Sequence, residues 1–280
     1  MRITQLSGLA RPLDFSYRSN RTVAILSFAV LLLGLAYHWY LGFDFPEMLW
    51  WAFQTNLSVF LAWAMGRELD PDHNATAFVA IPFSLLSFLW YGSADWLLLL
   101  LILLLLRLGS HICGSSAKLP DALLLLGLST YLSWQGHYLT GIMAALVFFI
   151  NSRLPPSHEN SRWYALSALL LGIASAVLSE NYIYTYHFEW PWLLGASLVS
   201  LVFLSLVREY RRPRSSEDYR VKPLNGQRMQ TVLLIMLFGT FLMFLLRGKE
   251  AIITLAPFWS AVLAAALVKI YRTLSGRSLA

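Results

Sequence analysis

The chain has 280 residues, of which 58% are hydrophobic, 15% aromatic and only 13% charged, with a mean hydropathy of +0.58. Soluble domains carry charged residues at about 25%, so this composition excludes a soluble globular protein, leaves no room for a separate soluble domain, and specifies a polytopic membrane protein. The net charge of +6 does not require nucleic acid as a partner, because membrane insertion by itself accounts for where the cations sit.

A hydrocarbon core about 30 Å thick takes roughly 20 apolar helical residues per crossing. In chain order the predicted spans are 23–40, 48–66, 75–90, 96–110, 119–134, 138–150, 163–178, 191–207, 230–246 and 251–271. The expected fold is therefore an all-α integral membrane bundle of about ten transmembrane helices. The fifth and sixth runs are short, so 119–150 is either two spans or a re-entrant hairpin buried by protein. Residues 1–21 form a basic N-terminal segment, 22–272 a single transmembrane bundle containing a basic loop at 208–229, and 273–280 a tail.

Charge tests that map. With the N-terminus inside, nineteen of the 21 Lys and Arg residues fall in inner segments, leaving Arg247 and Lys249 outside. Cations hold their loops on the cytoplasmic side during insertion, which places both termini in the cytoplasm of a cell bounded by this plasma (inner) membrane. The first run follows four arginines but has no small-residue cleavage site, so it reads as a retained anchor. The single Cys113 excludes an internal disulfide and fits a reducing compartment. The cluster Arg208, Arg211, Arg212, Arg214, Arg220, Lys222 and Arg228 reads as a topology determinant; near anionic headgroups each cation adds about 1 kcal/mol of attraction to membrane lipid.

Polar groups inside the spans are few. No Asp, Glu, Lys or Arg stands near a midpoint, since Arg107, Asp121 and Lys269 lie within a turn or two of an end. A proton- or sodium-coupled carrier normally needs such a group, whereas an uncoupled transporter does not. Pro82, Gly141, Gly172, Gly195 and Gly239 are scattered singly rather than paired as at midplane substrate sites. In the second run Gln54, Thr55, Asn56 and Ser58 cluster; Gln54 and Asn56 point to different faces, as interhelical hydrogen-bonding groups or, alternatively, as substrate contacts.

The densest set of oxygen ligands is the inner loop Gly66-Arg67-Glu68-Leu69-Asp70-Pro71-Asp72-His73-Asn74. Carboxylates at alternate positions on a Pro-stiffened turn suit one hard cation, which makes Asp70 and Asp72 candidate ligands for Mg²⁺ or Mn²⁺ and Glu68 and His73 candidate auxiliary ligands or general base. Arg67 would clamp an anionic substrate. The competing reading is helix-end chemistry, with Pro after one helix and Asp72 or Asn74 capping the next. Other inner groups that would join such a site are His111, Cys113, Asp121, His158 and Glu159. On the outer side, 179–192 is rich in Tyr and Trp and reads as an interfacial belt, or as an aromatic lid with Glu180, His187 and Glu189; His38, Asp44, Glu47, Asp95 and His137 share that compartment.

The order Cys113, Arg153, His158 is similar to that of the Cys, Arg and His of exosortase-type transpeptidases, but Ile112-Cys113-Gly114-Ser115 differs from that family's Cys-Ser-Gly context, and membership is not adopted. In length, helix number and cytoplasmic termini the chain resembles drug/metabolite-type carriers, in architecture alone. The leading expectation is a metal-assisted enzyme or binding protein for a phosphate-bearing lipid or isoprenoid at the cytoplasmic face. The alternatives are an uncoupled permease using Gln54 and Asn56, and a structural or accessory subunit of a membrane complex.

Overall fold

A computed structural model describes residues 7–11, 14–92, 94–179, 189–218 and 222–276. They form eleven helices: α1 Arg18–Tyr40, α2 Phe45–Leu69, α3 Asn74–Tyr91, α4 Trp96–Ser110, α5 Leu119–Trp134, α6 Leu139–Arg153, α7 Ser161–Leu178, α8 Trp190–Glu209, α9 Gly226–Arg247, α10 Lys249–Thr254 and α11 Ala256–Ser275. Among the described residues the β structure is one isolated antiparallel bridge, Ser216 to Pro223. The all-helical expectation therefore holds. Five helices, α1, α3, α7, α8 and α9, are long and apolar enough to cross a membrane, which supports membrane association.

The first nine apolar runs each fall on one helix, α1 to α9. The tenth does not. Residues 251–271 are broken at Leu255, with α10 ending at Thr254 and α11 restarting at Ala256. Pro257, at the start of α11, explains the break, because proline lacks the N–H a continuing helix would use and disfavours helical geometry just before it. Residues 119–150 form two separate helices, α5 and α6, joined through a turn in which Gly136 has φ 94°. At 15 residues each, α4 and α6 are about 22 Å long, shorter than a full hydrocarbon core.

Side chains set many of the ends. The Asp95 carboxylate accepts from the Leu98 amide at 3.0 Å to start α4, and the Asn225 side chain accepts from the amides of Gln227 and Arg228 to start α9. Gly92 ends α3 at φ 64°, where its N–H reaches the Phe88 carbonyl at 2.7 Å; a residue without Cβ takes that left-handed position with least strain.

The chain divides into two compact units, one of Met1–Arg11 with Asp95–Ile252 and the other of Pro12–Ala94 with Ile253–Ala280. In the first, α6 packs on α4, α5, α7 and α9. Gly141 and Gly172 face each other where α6 and α7 cross, so closely that a Cβ on Gly141 would stand 2.7 Å from the Gly172 Cα. Backbone contact of this kind is how helices gain packing energy in lipid, where no hydrophobic force drives them together. In the second, α2 packs on α1, α3 and α11, burying Ala52, Val59, Ala62 and Met65. Only 17% of the apolar window of α1 is buried. Leu170, Leu198 and Leu201 are likewise exposed, as suits helices whose apolar faces meet lipid rather than water.

Candidate functional site

The acidic loop lies between α2 and α3 in the second unit. Asp70, 1% exposed, closes α2 by donating its N–H to the Gly66 carbonyl at 3.0 Å. Its two carboxylate oxygens then accept separately: Oδ1 from His73 Nδ1 at 2.8 Å and Oδ2 from the Thr76 hydroxyl at 2.5 Å. Backbone bonds from the His73 N–H to the Asp70 carbonyl and from the Thr76 N–H to the His73 carbonyl complete the turn. His73 rather than Asp72 or Asn74 occupies the N-cap position of α3, without a side-chain cap bond. Since a carboxylate only accepts, His73 Nδ1 carries the proton and its ring is held in one orientation.

Around this couple, Glu68 is buried in the last turn of α2 and Asp72 is half-buried on the turn. Arg67 donates from Nη1 to the Asn20 side-chain oxygen at 3.0 Å, and its guanidinium lies 5.3 Å from the Trp63 ring centroid. The Asn20 amide in turn donates to the Asp14 carbonyl at 2.9 Å, so the end of α2 is tied to the start of α1. The Mg²⁺ or Mn²⁺ expected at Asp70 and Asp72 finds no support in this donor set: both Asp70 oxygens already accept from the protein, and among the described residues no three His, Cys, Asp or Glu side chains are grouped to hold a metal ion.

The amides and hydroxyls at membrane depth join helices. Asn56 donates to the Ser27 carbonyl of α1 at 3.0 Å, and the hydroxyls of Ser58 and Ser84 meet at 2.7 Å between α2 and α3. Thr55 bonds back to the Trp51 carbonyl within α2, and Gln54 is half-buried. The Asn56 and Ser58–Ser84 contacts match the interhelical reading.

At one end of the first unit the chain assembles a cluster that sequence reasoning missed. Arg228, in the first turn of α9, is 0% exposed. It donates to the carbonyls of Leu108, Gly109, Leu154 and Pro156 and to the Asn151 side-chain oxygen, at 2.7 to 3.1 Å. All five guanidinium N–H groups are used, binding the C-terminal ends of α4 and α6, whose carbonyls carry the negative pole of the helix dipole. Beside it, His111 Nδ1 stands 3.3 Å from Glu217 Oε1 and the His158 ring centroid lies 6.4 Å from that of His111. Burial and the Arg228 charge hold His111 below the ordinary histidine value, against the opposing pull of Glu217.

Two other expected partners do not join this cluster. Asp121 accepts from Ser7, Gly8 and the Lys118 amide, and the buried Cys113 thiol points to the Leu9 carbonyl. Arg153 is exposed over the Phe149 ring, so Cys113, Arg153 and His158 are not gathered as a catalytic set.

At the other end of the same unit, His137 Nε2 donates to Asp95 Oδ2 at 2.9 Å and its Nδ1 accepts from Arg247 Nη1 at 2.7 Å. Burial pushes the Asp95 carboxyl up, but its hydrogen bonds to His137 and the Leu98 amide and the nearby Arg247 charge outweigh this and hold it below the usual carboxylate range. Lys249 pairs with Glu189 at 2.7 Å. Glu180, His187 and the tyrosines of the expected aromatic lid lie outside the described residues. Compared with known protein families, with characterised proteins and with solved structures, the chain matches none.

Proposed function

We propose that this is a multi-pass membrane protein of about ten spanning helices, with both termini in the cytoplasm, that binds and processes a phosphate-bearing lipid or isoprenoid at the cytoplasmic face. The observation that carries the reading is the Asp70–His73 couple. A buried carboxylate fixes the imidazole tautomer and leaves Nε2 to act as general base. Arg67, one helical turn before Asp70, supplies a planar guanidinium suited to a phosphate. Glu68 lies in the same turn as a second candidate base. The occupied oxygens of Asp70 favour a site that works through His73 and Arg67 over one built around a divalent ion.

A thermal-shift titration of the detergent-purified protein with farnesyl diphosphate tests this, with and without Mg²⁺ or Mn²⁺. Saturable stabilisation that needs no metal and is lost in Arg67→Gln supports the reading. Stabilisation only with metal, abolished in Asp70→Asn/Asp72→Asn, restores the metal-assisted form. A flat response under all conditions moves the permease and accessory readings ahead. For the topology, a cysteine placed at Lys222 should be protected, and one at Lys249 labelled, when a membrane-impermeant thiol reagent is applied to intact cells.

A further inference from the structure

Among the buried side-chain atoms of the first unit's described residues that make no hydrogen bond are His111 Nε2 and Glu217 Oε2, on side chains 5% and 8% exposed. A buried polar atom left unsatisfied costs about 1 to 3 kcal/mol, so a neighbouring pair of them calls for a reason. Glu217 Oε1, as a carboxylate oxygen, accepts from His111 Nδ1 at 3.3 Å. Nδ1 therefore holds the ring proton and Nε2 presents a lone pair. Both open atoms are acceptors, and they call for a ligand that donates.

The backbone around them is held firmly. His111 is the non-glycine residue with positive φ, 60°, among the described residues. It stands at the C-cap of α4, a position filled by Gly92 after α3 and Gly276 after α11. A Cβ in that conformation costs about 1 kcal/mol, and nothing in the turn itself needs an imidazole there. Glu217 is brought over it by the Asp218 N–H bonding to the Ile112 carbonyl at 3.0 Å and by its own N–H bonding to the Lys222 carbonyl at 2.7 Å. The His158 ring stacks beside His111 at 23° between planes. The charged groups around the pair are Arg228, Arg107 one turn earlier on α4 and donating to the Leu9 carbonyl, and the Arg11–Asp218 ion pair at 2.7 Å.

That setting selects the ligand. The Arg228 charge opposes an ammonium ion, and among the described residues no three His, Cys, Asp or Glu side chains are grouped to hold a metal ion. A neutral donor, water, satisfies Nε2, on the edge of the ring turned away from Glu217. We propose that His111 and Glu217 form a general-base dyad that holds a water molecule. His111 takes a proton from that water on Nε2 as the water oxygen bonds to an acyl or phosphoryl electrophile, so that no free hydroxide forms. The imidazolium that results is paired through Nδ1–H to the Glu217 carboxylate, and nothing is oxidised or reduced. Glu217 is the positioning residue. The lowered pKa of His111 keeps the ring neutral and ready to accept at physiological pH. This site belongs to a different unit from the Asp70–His73 couple and stands or falls independently of it.

The test is carbethoxylation of the intact, detergent-purified protein with diethyl pyrocarbonate near neutral pH, mapped by mass spectrometry. An activated Nε2 is expected to react at least tenfold faster than the comparably buried His38, and Glu217→Gln is expected to slow His111 at least fivefold while leaving His38 unchanged. Unchanged thermal melting of Glu217→Gln confirms that the fold is intact. ¹⁵N NMR of labelled histidines gives a second readout: the neutral Nδ1–H tautomer is expected at His111. Reaction no faster than at His38, insensitivity to Glu217→Gln, or an Nε2–H tautomer overturns the proposal.

Discussion

Two histidine–carboxylate pairs in this protein differ in how they are made and in what they leave open. Asp70 and His73 are three residues apart on one turn, and both Asp70 oxygens are used, by His73 and Thr76. His111 and Glu217 are 106 residues apart, and one nitrogen and one oxygen stay unpaired. The first pair is built by the loop that contains it. The second is brought together across the chain by the Asp218 N–H bonding to the Ile112 carbonyl, beside the ends of α4 and α6 that Arg228 ties around one guanidinium. A local pair orients a group cheaply, while a long-range pair depends on the whole unit and can afford open atoms only if the frame is rigid.

The largest effect that separates them is expected from Arg228→Met. It removes five hydrogen bonds and strands four buried carbonyls and the Asn151 side-chain oxygen, which should destabilise the first unit by about 3 to 5 kcal/mol. Differential scanning calorimetry should show that unit melting earlier, with the His111 tautomer lost and the Asp70–His73 bond kept in NMR spectra. Equal loss at both pairs would break the contrast. Next comes Asp70→Asn, which weakens two charge-assisted hydrogen bonds and should cost about 2 to 3 kcal/mol, read as protease cutting at residues 70–74 with the His111 cluster undisturbed. Gly141→Ala, which would place a methyl group against the Gly172 backbone, should cost about 1 to 3 kcal/mol by forcing α6 and α7 apart.

Acid should sharpen the comparison further. His111 has a lowered pKa in the folded protein, so as pH falls below about 6.5 the unfolded chain takes up the proton first. Its contribution to stability is complete above about 6.5 and is lost as pH falls toward the lowered folded value. Asp95 is also held low, and the stability it lends is present above its unfolded value of about 3.9 and disappears as pH falls through the folded one. Melting temperatures recorded from about pH 8 to about pH 2 should therefore decline in two stages, and His111→Asn, which tolerates the left-handed backbone, should remove the upper stage alone. The smallest expected change is Asn56→Ala, about 0.6 kcal/mol for one interhelical hydrogen bond in a membrane, measured as a slight fall in resistance to denaturing detergent.

Legibility in the sequence followed the range of the interaction. Nine apolar runs coincide with helices because hydrophobicity is continuous along the chain, whereas Pro257, which breaks the tenth run, acts through backbone geometry that an apolarity reading ignores. The depth of Gln54 and Asn56 suggested interhelical bonds or substrate contacts without saying which residue bonds a neighbour, and it is Asn56 that reaches the Ser27 carbonyl. The Arg67–Asn74 string was visible as a dense set of polar groups, but whether Asp70 served a metal or a turn depended on Thr76, a residue without charge. Arg228 read as one more loop cation and proved to be fully buried, because carbonyls gathered from α4 and the α6 end leave no local signal. Glu217 sat unnoticed in a basic loop for the same reason. Arg247 and Lys249, the exceptions in the charge map, are bound to His137 and Glu189, partners far off in the chain.

The central functional claim is most directly tested in vesicles reconstituted with the N-terminus outward. Binding of membrane-impermeant farnesyl diphosphate, added outside, is measured by equilibrium dialysis for the wild type, Arg67→Gln and His73→Gln. The expected result is saturable binding that weakens at least tenfold in Arg67→Gln, persists in His73→Gln, and is absent from vesicles of opposite orientation. Equal binding by the wild type and Arg67→Gln, or by both orientations, would contradict it.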